Sequence, residues 1–245
     1  MPSFTDTGIV LRTYKFGEAD RIVVFITAQH GQVRSVAKGV RKPTSKFGGR
    51  LESPSHLTIQ FNTGKGELQT ISQVESIDHF RAIRDDLDRL TKASALCEVI
   101  EQFSHGREGD PRLYTMLLGA LRSLADHDAA LLVPAFYLKL LATEGLGVHV
   151  DGCVVCGAGV GEDAAEELVA FDPNEGGLLC REHRRGLPVS PGVIVLLRRI
   201  LGGQLRAALA TPISADTHTV EVLARLVMEH HLERRLRAGA VIGNH

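Results

Sequence analysis

Hydrophobic and polar positions follow one rhythm up to about residue 77 and another beyond it. In Gly8–Lys15, Ile9, Leu11 and Thr13 alternate with Val10, Arg12 and Tyr14. Arg21–Thr27 is a β-branched run that stops at Gln29-His30-Gly31, and Gln32–Lys38 follows. Leu57, Ile59 and Phe61 alternate up to a turn at 62–66, and Leu68, Thr70, Ser72 and Val74 resume after it. A period of two, bounded by turn residues, predicts strands. Five short strands in about 75 residues suit a small closed barrel.

Beyond residue 80 the period becomes helical. Leu96, Val99, Ile100 and Phe103 share one face, and Leu113, Leu117, Leu121 and Leu124 follow the helix-start pair Asp110-Pro111. Phe136, Leu140 and Leu141 mark a third helix stopped by Gly145 and Gly147. Two more are predicted over about 190–207 and 216–238. The fold class is therefore α+β: a five-stranded N-terminal barrel, 1–80, followed by an α-helical domain, 81–245.

The composition, 44% hydrophobic and 23% charged over 245 residues, supports buried cores and argues against disorder. Apolar runs such as Ala129–Val133 are far shorter than the roughly 20 residues of a spanning helix. The start, MPSFTDTG, has no secretory character, so the expected location is the cytoplasm.

The net charge of −1 hides a split. Residues 1–80 hold ten Lys and Arg against seven Asp and Glu, and the remainder holds eighteen against twenty-two. Arg34, Lys38, Arg41, Lys42, Lys46 and Arg50 fall within 17 residues that contain no acid. Pro43 and the glycines exclude a regular helix there, which predicts a flexible loop at the edge of the barrel. Cations spaced along a loop can follow a phosphate backbone, and Phe47 or Tyr14 can stack on an unpaired base. The competing reading is a solvated, charged loop.

Cys153-Val-Val-Cys156-Gly157 is a C-x₂-C knuckle, and Cys180-Arg-Glu-His183 supplies a C-x₂-H pair 23 residues after it. Three thiolates and one imidazole form a set that zinc accepts in tetrahedral structural sites. A hairpin of Leu168–Asp172 with Gly177–Cys180 would bring the second pair back to the first, in a module at about 149–186. His149 competes with His183 for the fourth position. A redox C-x-x-C and a set of thiols that merely pack are the alternative readings. Four protein ligands leave no open position, which predicts a structural Zn²⁺ and no metal catalysis. Cys97 reads as a buried small hydrophobe.

No phosphate-binding G-x-x-x-x-G-K-[ST] loop, G-x-S-x-G elbow or H-E-x-x-H helix occurs. Asp85, Asp86 and Asp88, like Glu229-His230-His231, read as polar helix surface. No catalytic residue is expected.

The start GIVLRTYKFGEADRIVVFIT, the basic KGVRKPTSKFGGRLE and CVVCG after FYLKLLATEGLG resemble, in order and spacing, the bacterial recombination mediator family RecO. The resemblance implies an OB-fold barrel and a helical domain interrupted by a zinc module. Most members carry four cysteines in that module; here His183 stands in the fourth place. It also implies a non-enzymatic role: binding single- and double-stranded DNA and annealing complementary strands. With RecR, such a protein helps load RecA onto DNA coated with single-strand-binding protein, whose acidic C-terminal tail it contacts. Lys139, beside Tyr137 and Leu140, is a candidate for the tail contact, with ordinary amphipathic packing as the alternative. Sequence-specific DNA recognition is not expected, since no recognition helix is present. A protein-interaction scaffold without a direct DNA role is the competing function.

Overall fold

In a computed structural model of the chain, the described residues are 2–64, 68–105, 109–159, 167–232 and 236. Five strands close a barrel: β1 (Ser3–Phe16), β2 (Asp20–Thr27), β3 (Gly31–Ala37), β4 (His56–Asn62) and β5 (Gln69–Asp78). Their order is β1-β2-β3-β5-β4, and the pairs are antiparallel except β3 with β5, joined in parallel at Ser35–Gln69 and Val36–Thr70. The barrel is an OB fold. Part of the turn expected at 62–66 lies outside the described residues.

Val23, Phe25, Val33, Leu57, Ile59 and Phe61 fill the barrel. The β2 run does not alternate because both of its faces are covered. Val24 and Ile26, on the outer face, are as buried as Val23 and Phe25 inside. The outer cover comes from α2 (Leu87–Phe103) and α3 (Pro111–Asp126), which follow the single turn α1 (Arg81–Arg84). Asp86 caps α2 by accepting the N–H groups of Asp88 and Arg89, and Asp110 caps α3 ahead of Pro111. Asp85 pairs with Arg81, and Asp88 with Lys92 at 2.7 Å. These acids thus serve caps and ion pairs on the helix surface.

The chain divides into two compact units. The first covers Met1–His127 and, from far along the chain, Leu236; the second covers Asp128–Arg235. The change from strand to helix and the change of unit therefore fall at different places, because α2 and α3 pack on the barrel.

The second unit holds α4 (Leu132–Thr143), a three-stranded sheet ordered β7-β6-β8, and three further helices. β6 (Leu168–Asp172) and β7 (Gly177–Cys180) form the expected hairpin, and β8 (Leu187–Pro188) adds a short edge. The helix expected over 190–207 is two, α5 (Pro191–Leu201) and α6 (Leu205–Leu209), because Gly202-Gly203 ends the first of them, with Gly203 at φ 87°. The last helix, α7 (Ala215–Leu232), packs on α4 and α5. Its expected continuation to 238 lies largely outside the described residues. Among the described residues, no helix is long and apolar enough to cross a membrane.

Candidate nucleic-acid interface and metal centre

Arg34, Lys38, Arg41, Lys42, Lys46 and Arg50 are all exposed. The loop that carries the last five is pinned rather than free. Gly39 donates its N–H to Asp20 Oδ1 at 2.7 Å, and Arg41 donates its N–H to the carbonyl of Ala19 at 3.0 Å. The Arg41 guanidinium reaches the Glu18 carbonyl at 2.9 Å. Lys46 Nζ donates to the Ser72 carbonyl on β5 at 2.7 Å. The loop is thereby tied to the β1–β2 turn at one end and to β5 at the other.

Phe47 corrects the expectation of a stacking aromatic. It is 2% exposed and lies with Leu51 in the barrel core, where the two hold a 3₁₀ turn at Gly48–Leu51. The aromatic that sequence reasoning missed is Phe16, 44% exposed at the end of β1, with Lys15 exposed beside it. The tie from Arg41 to Ala19 places loop cations next to this hairpin tip. Tyr14 is also exposed, but its hydroxyl is bound to Glu101 at 2.7 Å, and Arg12 lies over its ring at 5.5 Å. Arg34 is not gathered with the loop cations; it lines a cleft with Gln32, Glu101, Gln102 and His105.

In the second unit, Cys153, Cys156, Cys180 and His183 each offer one ligand atom, and the four atoms lie within 4.8 Å of one another. The fold brings them there in two moves. The knuckle turns back on itself through Gly157 N–H to the Cys153 carbonyl, 2.8 Å, with Gly157 at φ 74°. Val154 then donates to the Leu178 carbonyl at 2.9 Å, laying the knuckle against β7, whose last residue is Cys180.

The donor set fits a tetrahedral ion. Zinc at about 2.3 Å from sulfur and about 2.0–2.1 Å from nitrogen sets sulfur–sulfur edges near ~3.8 Å and sulfur–nitrogen edges near ~3.6 Å. Cys156 Sγ and Cys180 Sγ are 3.8 Å apart. His183 Nδ1 lies 3.3 Å from Cys180 Sγ and 3.9 Å from Cys153 Sγ. Burial raises the Cys153 thiol, but the N–H groups of Cys180, Cys156 and Val155 directed at its sulfur outweigh this and bring it down to about 6. Such a sulfur is ready to bind metal as thiolate. His149 is exposed and outside the group; its backbone exchanges hydrogen bonds with Gly176 and Leu178.

A salt bridge braces the module. Asp172, at the end of β6, accepts Arg185 Nε at 2.7 Å and the N–H of Asn174 at 2.9 Å. Burial opposes the charge on Asp172, yet the Arg185 bond and these N–H donors hold its carboxyl below the usual range.

A closed OB barrel with a pinned cationic loop, followed by helices and a Cys₃His module, defines a class of barrel-plus-helix proteins with a candidate metal knuckle. Residues 1–80 match the family described as Recombination protein O N terminal, and residues 84–239 match Recombination protein O C terminal. The chain is 37% identical over 244 residues to a DNA repair protein RecO of Frankia casuarinae, covering 97% of each chain. It is 35% identical over 246 residues to one of Nocardioides, covering 98% of each. The chain belongs to the RecO family of DNA repair proteins.

Proposed function

We propose that this chain is a non-enzymatic recombination mediator that binds single- and double-stranded DNA and anneals complementary strands. The observation that carries this reading is the loop of five exposed cations fastened at both ends to an OB barrel. Cations held on a fixed frame neutralise phosphates along a strand, and the released counterions supply most of the affinity. Phe16 at the hairpin tip adds a face on which an unpaired base stacks. Two strands held near one another with their repulsion reduced pair faster without any bond being made or broken.

Family membership supports the partner reading. RecR, the acidic C-terminal tail of single-strand-binding protein and, indirectly, RecA are the proteins with which this chain acts, in the cytoplasm at the nucleoid. Lys139, half-buried on α4 beside buried Tyr137 and Leu140, is the candidate cation for the acidic tail. Zn²⁺ is the proposed ion of Cys153, Cys156, Cys180 and His183, where it would join the knuckle to the hairpin and so stabilise the fold.

The test is the annealing rate of two complementary oligonucleotides coated with single-strand-binding protein, with and without the chain. Acceleration that disappears in R41A/K42A/K46A supports the proposal. Intact DNA binding without acceleration sinks the annealing role, and absence of any DNA binding leaves the scaffold reading.

A further inference from the structure

We propose that Cys156 is a site of reversible oxidation, and that Cys180 resolves it into a disulfide joining the knuckle to β7. The inference rests on the metal reading above, because both sulfurs are drawn from the four residues assigned to the ion.

The three thiols of the module differ in access. Cys156 is exposed, whereas Cys153 and Cys180 are 1% and 6% exposed. Val155, the residue before Cys156, is 47% exposed, so this side of the knuckle faces solvent. Thiol oxidation follows thiolate character and access together. Cysteine ligates metal as thiolate, so all three sulfurs share that character and access decides among them. Cys156 is the sulfur that a small oxidant such as hydrogen peroxide meets first.

Its partner is set by distance and attachment. Cys156 Sγ lies 3.8 Å from Cys180 Sγ. A disulfide needs about 2.0 Å, so the two atoms must close by about 1.8 Å. Cys153 is the worse partner, since the N–H groups of Cys180, Cys156 and Val155 are directed at its buried sulfur. Moving that sulfur toward Cys156 would leave those donors without their acceptor. Cys97 takes no part. It lies in the first unit, 1% exposed, and burial pushes its thiol up to about 12.

The steps balance with peroxide as the oxidant. The Cys156 thiolate attacks one peroxide oxygen: the S–O bond forms, the O–O bond breaks and hydroxide leaves. The Cys180 thiolate then attacks the Cys156 sulfur: the S–S bond forms, the S–O bond breaks and a second hydroxide leaves. The two thiolates have together given two electrons to the peroxide. Cys153 and His183 remain, and two ligands do not hold an ion that needs four. The knuckle and the hairpin stay joined, now by the disulfide. Oxidation thus removes the metal without opening the module as chelation does.

The test treats the full zinc-loaded chain with excess hydrogen peroxide, then measures zinc released, thiols in denaturant and disulfide-linked peptides. The native chain is expected to lose its zinc as its four cysteine thiols fall to two. Cleavage after Glu167 and Glu175 separates Cys156 from Cys180 in the sequence, so a linked peptide pair identifies the disulfide. C97A, which leaves the module intact, should fall from three thiols to one with the same linked pair. Dithiothreitol with added zinc should restore both thiols and the ion. The oxidised chain should melt above the chelated one, and an equal or lower melting temperature overturns the disulfide as a replacement link. A disulfide between Cys153 and Cys156, or four thiols remaining under excess peroxide, overturns the inference and leaves the metal reading standing. A chain that takes up no zinc overturns the metal reading, and the inference with it.

Discussion

Arg41 donates its backbone N–H to the carbonyl of Ala19, 3.0 Å away, across the gap between the basic loop and the β1–β2 turn. This bond turns a run of cations into a surface. It acts together with the Gly39–Asp20 and Lys46–Ser72 bonds and the buried Phe47 and Leu51, which fix the rest of the loop on the barrel. With it, Arg41 and Lys42 sit beside the tip that carries Lys15 and Phe16.

Replacing Arg41, Lys42 and Lys46 together by Ala should weaken binding to every DNA sequence by about the same factor. The slope of log affinity against log salt on single strands should become shallower by about two, at about 0.7 for each phosphate that is no longer neutralised. Affinities measured on three unrelated sequences check both parts, and weakening confined to one sequence would contradict them.

The two phenylalanines near the loop should behave in opposite ways. Phe16→Ala should lower single-strand affinity by about 1–3 kcal/mol, leave duplex affinity much less changed and leave the melting temperature alone. Phe47→Ala should cost about 3–5 kcal/mol of stability through the cavity left in the core. Thermal melts and binding measured on the same two variants separate the roles.

This reversal shows where the sequence was legible. The five strands, the barrel and the β6–β7 hairpin were readable because turn residues and a period of two are local signals. The four metal-candidate residues were readable because their spacing is itself the signal. Phe47 was not, because a lone aromatic among lysines and glycines has the pattern of a polar loop. Only the closure of the barrel beneath it makes it core. Phe16 was hidden at the end of a strand whose alternation continues through it, so nothing local marks it as the exposed face. The helix break at Gly202-Gly203 was visible as two glycines, yet the apolar period of α5 and α6 ran across it.

The Cys₃His module should bind one zinc ion per chain, as measured by atomic absorption on protein purified without added metal. Cys180→Ser should lose the ion, His183→Cys should keep it, and His149→Ala should keep it. Chelation should lower the melting temperature of the second unit. Retention of zinc in C180S would contradict the proposed ligands.

A buried imidazole gives the first unit a dependence on pH. His56, 4% exposed on β4, meets the Tyr114 hydroxyl on α3 at 2.7 Å through Nε2, while its Nδ1 has no partner among the described residues. Burial, followed by the nearby positive charge of Arg122, lowers its tendency to protonate, with Asp78 acting the other way. In the unfolded chain the imidazole titrates near ~6.5. The stability due to neutral His56 is therefore complete above that pH and declines as pH falls from it toward the lower folded value. Denaturant melts between pH 7.5 and 5 should show this decline, and His56→Gln should flatten it.

The central claim is that an electrostatic surface on the barrel holds single-stranded DNA, and its most direct test is binding of the full chain to a labelled oligonucleotide over a salt series. Log affinity should fall linearly with log salt, with a slope of about −3 to −4, as roughly four to six neutralised phosphates require. A flat salt dependence, or no binding at low salt, would contradict the claim.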